Sequence, residues 1–146
     1  MVYCIVEGRT DTVILSSIFE NKCEIPKIIV SNGIPSMPAV ARTILSFMEE
    51  SDKVALVCDQ DSFDETKYQK EMLGFLLRGA MNNPRFKLFV FDPNIDVLIP
   101  EEYKKKGWKQ KTRELHDVVI ENMDKIMKHT TVKELLDFVC SEPTMI

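Results

Sequence analysis

The sequence has few of the residues from which zinc sites, disulfide frameworks and membrane spans are built. Four cysteines and two histidines are scattered over 146 residues, and no two cysteines form a CxxC pair. We therefore expect neither a zinc site nor a disulfide framework. The longest apolar runs, such as KLFVF at 87–91, have the length of a strand and are far too short to span a bilayer. The amino-terminal MVYCIVEG has no basic segment, so the sequence predicts no secretory signal, a cytoplasmic location and no membrane partner.

Charge is unevenly distributed along the chain. The net charge is −4, but the stretch YKKKGWKQKTR at 103–113 carries +6, so the remainder carries −10. Lysines neutralise phosphates and an aromatic side chain among them can stack on an unpaired base, so this basic segment is a candidate for binding DNA or RNA. The alternative is a solvated loop with its tryptophan packed on the core. The candidate nucleic-acid-binding residues are Arg9, Lys104, Lys105, Lys106, Trp108, Lys109, Lys111 and Arg113.

Strands are predicted wherever the chain has a short, almost continuous apolar run rich in β-branched residues. Such runs, without the alternation of a half-exposed strand, are typical of parallel sheets that are buried on both faces. The predicted strands are Val2–Val6, Lys27–Val30, Lys53–Cys58 and Phe86–Phe91.

Segments with helical spacing of apolar residues separate the strands and follow the last one. The predicted helices are Thr10–Asn21, Ser36–Glu50, Asp64–Met81, Arg113–Lys128 and Val132–Cys140, with a loop at Asp92–Lys111. Predicted helix caps are Ser36, Ser62 with Glu65, and Thr131 with Glu134. This order predicts one domain, residues 1–146, with an α/β Rossmann-like fold of three layers and a mostly parallel sheet. Such sheets place their functional sites at the carboxyl ends of the strands.

Acidic residues follow two of these strands. Glu7 and Gly8 come after the first strand, with Asp11 three residues beyond the glycine, and Asp59 and Asp61 come after the third. In an extended backbone, residues two apart point the same way, so Asp59 and Asp61 are expected to project together. Carboxylates at one edge repel each other unless a cation intervenes, and Mg²⁺ is the hard, oxygen-seeking ion that suits them. The alternative is that the acids after the third strand only occupy a loop and cap a helix.

The stretches VEGRTD at 6–11 and VCDQDS at 57–62 resemble the signature of the Toprim family. That signature is a strand ending in Glu-Gly, an acid three residues on, and a later strand ending in Asp-x-Asp. DPNIDVLI at 92–99 is similar to the segment after the fourth strand in small and nuclease-type members, including the nucleases related to overcoming-lysogenization-defect enzymes. The resemblance covers residues 2–99, whereas the basic loop and helices of 100–146 have no counterpart.

The resemblance implies roles for individual residues. Glu7 would be a general acid/base or a ligand that reaches the metal through water, and Asp59 and Asp61 would be the main Mg²⁺ ligands. Asp11 would support the site, although a first-turn carboxylate also complements the helix dipole. Asp96 would hold a second metal, or would be an ordinary surface acid. For the acids to converge, the first and third strands must be neighbours, which suggests the strand order 2-1-3-4.

Three functions fit these features. The leading hypothesis is a Mg²⁺-dependent (or Mn²⁺-dependent) nuclease that nicks or cleaves DNA or RNA. The second is a Toprim module that binds or regulates nucleic acid without turnover, or that works with a protein partner supplying further domains. The third, a phospho-acceptor receiver, fits less well because its acid pair should follow the first strand. No phosphate-binding loop for ATP is present.

Overall fold

The computed structural model of the chain describes residues 1–64 and 84–140. The helix predicted over Asp64–Met81 lies outside these ranges except for its first residue. That residue ends a helical turn over Asp61–Asp64.

The strands match the sequence prediction closely. They are β1 (Val2–Val6), β2 (Lys27–Val30), β3 (Lys53–Asp59) and β4 (Phe86–Phe91). All pairings are parallel, and the order in the sheet is β2-β1-β3-β4. The predicted α/β class and strand order are therefore confirmed. β1 and β3 are direct neighbours, so residues at their carboxyl ends lie at the same edge.

Helices lie between and after the strands. In the described ranges they are α1 (Arg9–Glu20), α2 (Met37–Phe47), α3 (Asp61–Asp64), α4 (Thr112–Glu121), α5 (Met123–Ile126) and α6 (Thr130–Cys140). The prediction of a single helix over Arg113–Lys128 was wrong, because the helix is interrupted at Asn122, between α4 and α5. The Asn122 side-chain amide donates to the Val118 carbonyl at 2.8 Å, a local bond that competes with regular helix. The predicted loop after β4 contains 3₁₀ turns at Ile95–Leu98, Glu101–Tyr103 and Trp108–Gln110.

Two of the predicted helix caps are absent from the structure. Ser36 makes no side-chain capping bond, because a 3₁₀ turn over Ile34–Ser36 leads directly into α2. Thr131 lies inside α6, and its hydroxyl donates to the Val90 carbonyl at 3.4 Å. The partner of Ser62 in the third predicted cap lies outside the described residues.

The sheet is covered on both faces. Alternate strand residues such as Val6, Val57 and Phe91 pack against α1 and α4–α6, forming the larger core. Their neighbours, such as Ile5 and Leu56, pack against α2 and Phe63 on the opposite face. The sheet and the helices on each of its two faces are the three layers of the fold.

Cys23 and Cys140 form a disulfide, which the sequence analysis did not expect. The two residues are 117 positions apart, yet the carboxyl-terminal ends of α1 and α6 bring their Cα atoms to 5.6 Å. That separation lies within the range a disulfide can bridge. Spacing along the chain could not reveal a pair created by tertiary packing. Cys4 and Cys58 are free and buried.

None of the helices in residues 1–64 and 84–140 combines the length and apolar character needed to cross a bilayer.

Candidate functional site

Glu7 and Asp59 meet at the carboxyl edge of the sheet. Glu7 directly follows β1, and Asp59 is the last residue of the neighbouring β3. The Glu7 Oε2 atom accepts a hydrogen bond from the Asp59 backbone N–H at 2.8 Å. The parallel pairing of β1 and β3 thus brings together acids that are 52 positions apart in the sequence.

The loop after β4 holds the Asp59–Asp61 turn in place. The backbone N–H groups of Gln60 and Asp61 donate to the carbonyls of Phe91 and Pro93 at 2.8 and 3.0 Å. The Ile95 N–H donates to Asp59 Oδ1 at 2.8 Å. Through these bonds, the segment that resembled the third Toprim motif forms one wall of the site.

Asp61 lies just beyond the end of β3, so the extended backbone that the sequence analysis assumed between Asp59 and Asp61 is not present, although the Asp61 charge still contributes to raising the pKa of Asp59. β3 ends at Asp59 and a helical turn begins at Asp61, so the two-residue alternation of a strand is lost between them. Asp61 is exposed. Its Oδ2 atom accepts a hydrogen bond at 2.9 Å from the side-chain amide of Asn94, a residue that sequence reasoning missed.

Asn94 has a second contact at the same loop, since its Oδ1 atom accepts from the Asp96 N–H at 3.0 Å. It therefore links the turn that begins α3 to the 3₁₀ turn over Ile95–Leu98. The only sequence signal for Asn94 was its position close to the end of β4, in the stretch 92–99. The sequence analysis selected only Asp96 from that stretch.

Asp11 lies in the first turn of α1, where its Oδ2 atom accepts from the Gly8 N–H at 3.0 Å. This bond satisfies an amide that the helix leaves unpaired, as the dipole interpretation expected. Asp11 also belongs electrostatically to the site, because its negative charge contributes to raising the pKa values of both Glu7 and Asp59.

Burial raises the pKa of three carboxyl groups at this edge. It raises the pKa of Asp59 to about 7, with further contributions from the charges of Asp11, Glu7 and Asp61, against the opposing bond from Ile95. Burial likewise raises the pKa of Glu7, although bonds from the Ser62 side chain and the Asp59 backbone counteract it. The pKa of Asp11 is raised mainly by burial, with the Asp96 charge adding to the effect and Lys109 opposing it. The negative charges of the ionised carboxylates at this edge are therefore poorly compensated by solvent and by the described neighbouring groups.

Lys109 is a basic residue of the described ranges that reaches this acidic edge. Its ammonium group lies 3.3 Å from Asp96 Oδ2 and 5.5 Å from the centre of the Trp108 ring. Trp108 in turn contacts Tyr103 edge-on, with ring centres 6.2 Å apart, and both aromatic rings pack against the larger core. Trp108 is therefore half-buried, which matches the packed-tryptophan alternative.

The other candidate basic residues differ in accessibility. Lys104 is 17% exposed and paired with Glu101 at 2.9 Å, and Lys111 lies 3.9 Å from Glu114. Four candidates are exposed and form no ion pair with another described residue, so their charges are accessible to a phosphate: Lys105, Lys106, Arg113 and, at the start of α1, Arg9. An open depression of about 350 Å³ is lined by residues 104–110.

The oxygen atoms at this edge suit a hard divalent cation. Within the two described ranges, no three histidine, cysteine or acidic side chains already stand close enough together to hold a metal ion. However, Asp59 and Asp61 each use one carboxylate oxygen in the bonds described above, Oδ1 and Oδ2 respectively. Mg²⁺ commonly takes only one or two carboxylates and completes its shell with water and phosphate oxygens. Asp59 and Asp61 would hold the ion, with Glu7 beside them.

Comparison with protein-family models, with curated proteins and with solved structures found no match to this chain.

Proposed function

We propose that the chain is a Toprim-type nuclease that uses Mg²⁺, or Mn²⁺ in its place, to cleave phosphodiester bonds of DNA or RNA. The proposal depends on one observation. Glu7 and Asp59 come from two adjacent parallel strands, lie in contact, and both have a raised pKa. Carboxylates gathered at a strand-end edge with their charge uncompensated are typical of a functional site rather than of a stabilising one.

The roles follow from the position of each residue. Asp59 and Asp61 would hold the ion, which when bound offsets charge on the phosphate and assists the attack of water. Glu7 would move the proton, because burial raises its pKa and it lies beside Asp59, a position that suits a general acid/base. Water is the proposed nucleophile. Of the two tyrosines in the described ranges, Tyr3 is buried in β1, and the hydroxyl of Tyr103 is buried as well.

The second candidate function is a module that binds nucleic acid without cleaving it. The exposed basic side chains of Lys105, Lys106 and Arg113 favour this alternative, because they can contact phosphates whether or not the acidic edge cleaves them. Such a module would act with a protein partner that supplies further domains to hold the substrate.

We place either activity in the cytoplasm, where nucleic acids are accessible and where disulfides are usually reduced. In that compartment Cys23 and Cys140 would be thiols, and the disulfide would form on oxidation.

Incubation with labelled single- and double-stranded DNA and RNA in Mg²⁺ or Mn²⁺ separates the two functions. The nuclease proposal expects cleavage by the wild type and by Asp137→Asn, a matched change of an exposed aspartate on α6, but none by Asp59→Asn. Metal-dependent binding without turnover would favour the binding module. The absence of both binding and cleavage would refute both functions.

A further inference from the structure

The ion pair between Lys109 and Asp96 bears on how many metal ions this site takes. The Toprim resemblance implied Asp96 as a ligand for a second metal. In the structure Asp96 is only 25% exposed, and its Oδ2 atom already faces the Lys109 ammonium at 3.3 Å. A positive charge therefore stands where the second ion would be expected.

The pairing is set by the path of the chain. Asp96 is fixed in the 3₁₀ turn over Ile95–Leu98, where its own backbone N–H donates to the Asn94 Oδ1 atom at 3.0 Å. Lys109 is carried by a separate 3₁₀ turn, Trp108–Gln110, which is anchored because Trp108 packs against the core and against Tyr103. Both partners thus come from ordered turns, which reduces the entropy lost when the pair forms.

The Lys109 charge also acts beyond Asp96. It counteracts the raising effect of Asp96 on Asp11, the first-turn acid of α1 that in turn influences Glu7 and Asp59. Half of the Lys109 side chain remains exposed, so the ammonium group can also reach an incoming phosphate oxygen. Of the six basic residues in the 103–113 segment, only Lys109 forms an ion pair with a proposed site acid within the described part of the chain.

We propose that the Lys109 ammonium takes the place of a second metal ion: Asp96 is a positioning residue for Lys109, and the site binds a single divalent cation at Asp59 and Asp61. This inference rests on the proposed function. It assigns Asp96 and Lys109 to one task, which is to hold a fixed positive charge beside the phosphate that contacts the metal.

Metal stoichiometry tests the first half of the proposal. Titration calorimetry with Mn²⁺ should give one site per chain in the wild type, in Asp96→Asn and in Lys109→Met. Two sites in the wild type, falling to one in Asp96→Asn, would overturn the proposal and make Asp96 a metal ligand. No saturable Mn²⁺ binding by the wild type would instead refute the proposed function itself.

A double-mutant cycle tests whether Asp96 positions Lys109. Binding of a single-stranded oligonucleotide is measured by anisotropy in Mn²⁺ with each background inactivated by Glu7→Gln. Lys109→Met should weaken binding on the order of tenfold, as expected for one charge-assisted contact, and lower the salt slope by about one. In the Asp96→Asn background the same change should have little further effect. Lys109→Arg, which keeps the charge, should restore most of the affinity.

Lys106→Met is the matched control, because Lys106 belongs to the same segment but is exposed and forms no ion pair with any residue that the structure describes. Its effect should be equal in the two backgrounds, and an equal effect of Lys109→Met in both would overturn the proposal. Trp108, the single tryptophan of the chain, gives a second readout. Its emission should shift in Asp96→Asn as it does in Lys109→Met, because Asp96 acts on the indole through Lys109, which lies over the ring. An unchanged spectrum in Asp96→Asn would count against the coupling.

Discussion

The backbone amide of Ile95 donates to the Asp59 carboxylate at 2.8 Å, and this bond ties the end of β3 to the loop that follows β4. It is the main interaction opposing the rise in the pKa of Asp59. Burial and three neighbouring carboxylates outweigh it, so the ionised acid remains unfavourable in the folded protein. Asp59 is thus held by the backbone in a place where its charge costs stability. This combination is common at functional sites.

Replacing Asp59 by asparagine should stabilise the metal-free protein above neutral pH. The pKa of Asp59 is raised from 3.8 to about 7 in the folded state, so the folded protein binds a proton more strongly than the unfolded one. Stability should therefore fall as pH rises from about 4 to about 7, and the full cost should remain above pH 7. Allowing for partial solvent access, Asp59→Asn should gain about 1–2 kcal/mol at pH 8 and almost nothing at pH 4.

Thermal unfolding in EDTA between pH 4 and pH 8 measures this gain, with Asp137→Asn as the control. Added Mg²⁺ should raise the Tm of the wild type but not that of Asp59→Asn, because only the wild type keeps the proposed ligand. A parallel pH dependence in wild type and Asp59→Asn would show that the Asp59 charge is not destabilising.

Truncation of Asn94 should weaken metal binding without removing a ligand. Asn94 orients Asp61 through a bond of 2.9 Å and accepts the amide of Asp96 at 3.0 Å. Loss of such an outer partner typically lowers metal affinity about 10- to 100-fold. Calorimetric Mn²⁺ titration of Asn94→Ala should show this loss with unchanged stoichiometry. Asn21→Ala, at the end of α1, is the control; equal affinities in wild type and Asn94→Ala would contradict the role.

The strands could be predicted because an unbroken run of apolar residues has one main physical cause, burial of both faces of the sheet. Residues such as Cys4, Ile5, Leu56 and Val57 are buried on opposite faces of one sheet, and only a strand covered on both sides needs every position to be apolar. The convergence of Glu7 and Asp59 then follows from strand order alone. The sequence analysis reached that order from the acids at the two strand ends together with the Toprim resemblance.

The rest of the site depends on long-range contacts that local spacing does not encode. The backbone leaves the extended conformation after Asp59 because the loop at Phe91 and Pro93 binds the next two amides. That contact crosses more than 30 residues, and it decides where Asp61 lies. Likewise, the segment 103–113 has six basic residues, and only the packing of Trp108 singles out Lys109 as the partner of Asp96.

His116 should make stability pH-dependent through its contact between α4 and α1. Its Nε2 atom lies 2.6 Å from Glu20 and its Nδ1 atom 3.2 Å from Asp117, and these two acids raise the pKa of His116 above 6.5. A raised histidine pKa stabilises the fold below the unfolded value, and this contribution is lost as pH rises through the folded value. Because the ring is partly exposed, we expect a small effect.

The measurement is the difference in Tm between wild type and His116→Gln, which isolates this histidine from the pH dependence of Asp59. The variant should be less stable than the wild type at pH 5.5 and equal to it at pH 9. Glu20→Gln should reproduce the loss, since Glu20 is the main cause of the raised pKa. A difference that is constant over pH would indicate lost packing rather than lost charge.

Reduction of the Cys23–Cys140 disulfide should lower thermal stability. The bridge closes a loop of 117 positions, which in the chain-entropy description restricts the unfolded state by up to about 5 kcal/mol. Measured gains are usually smaller, so a fall in Tm on the order of 10 °C is expected for a domain of this size. Cys23→Ser should match the reduced wild type and should not respond to dithiothreitol. Alkylation after unfolding without reductant should label Cys4 and Cys58 only, and labelling of all four cysteines in oxidised protein would contradict the pairing.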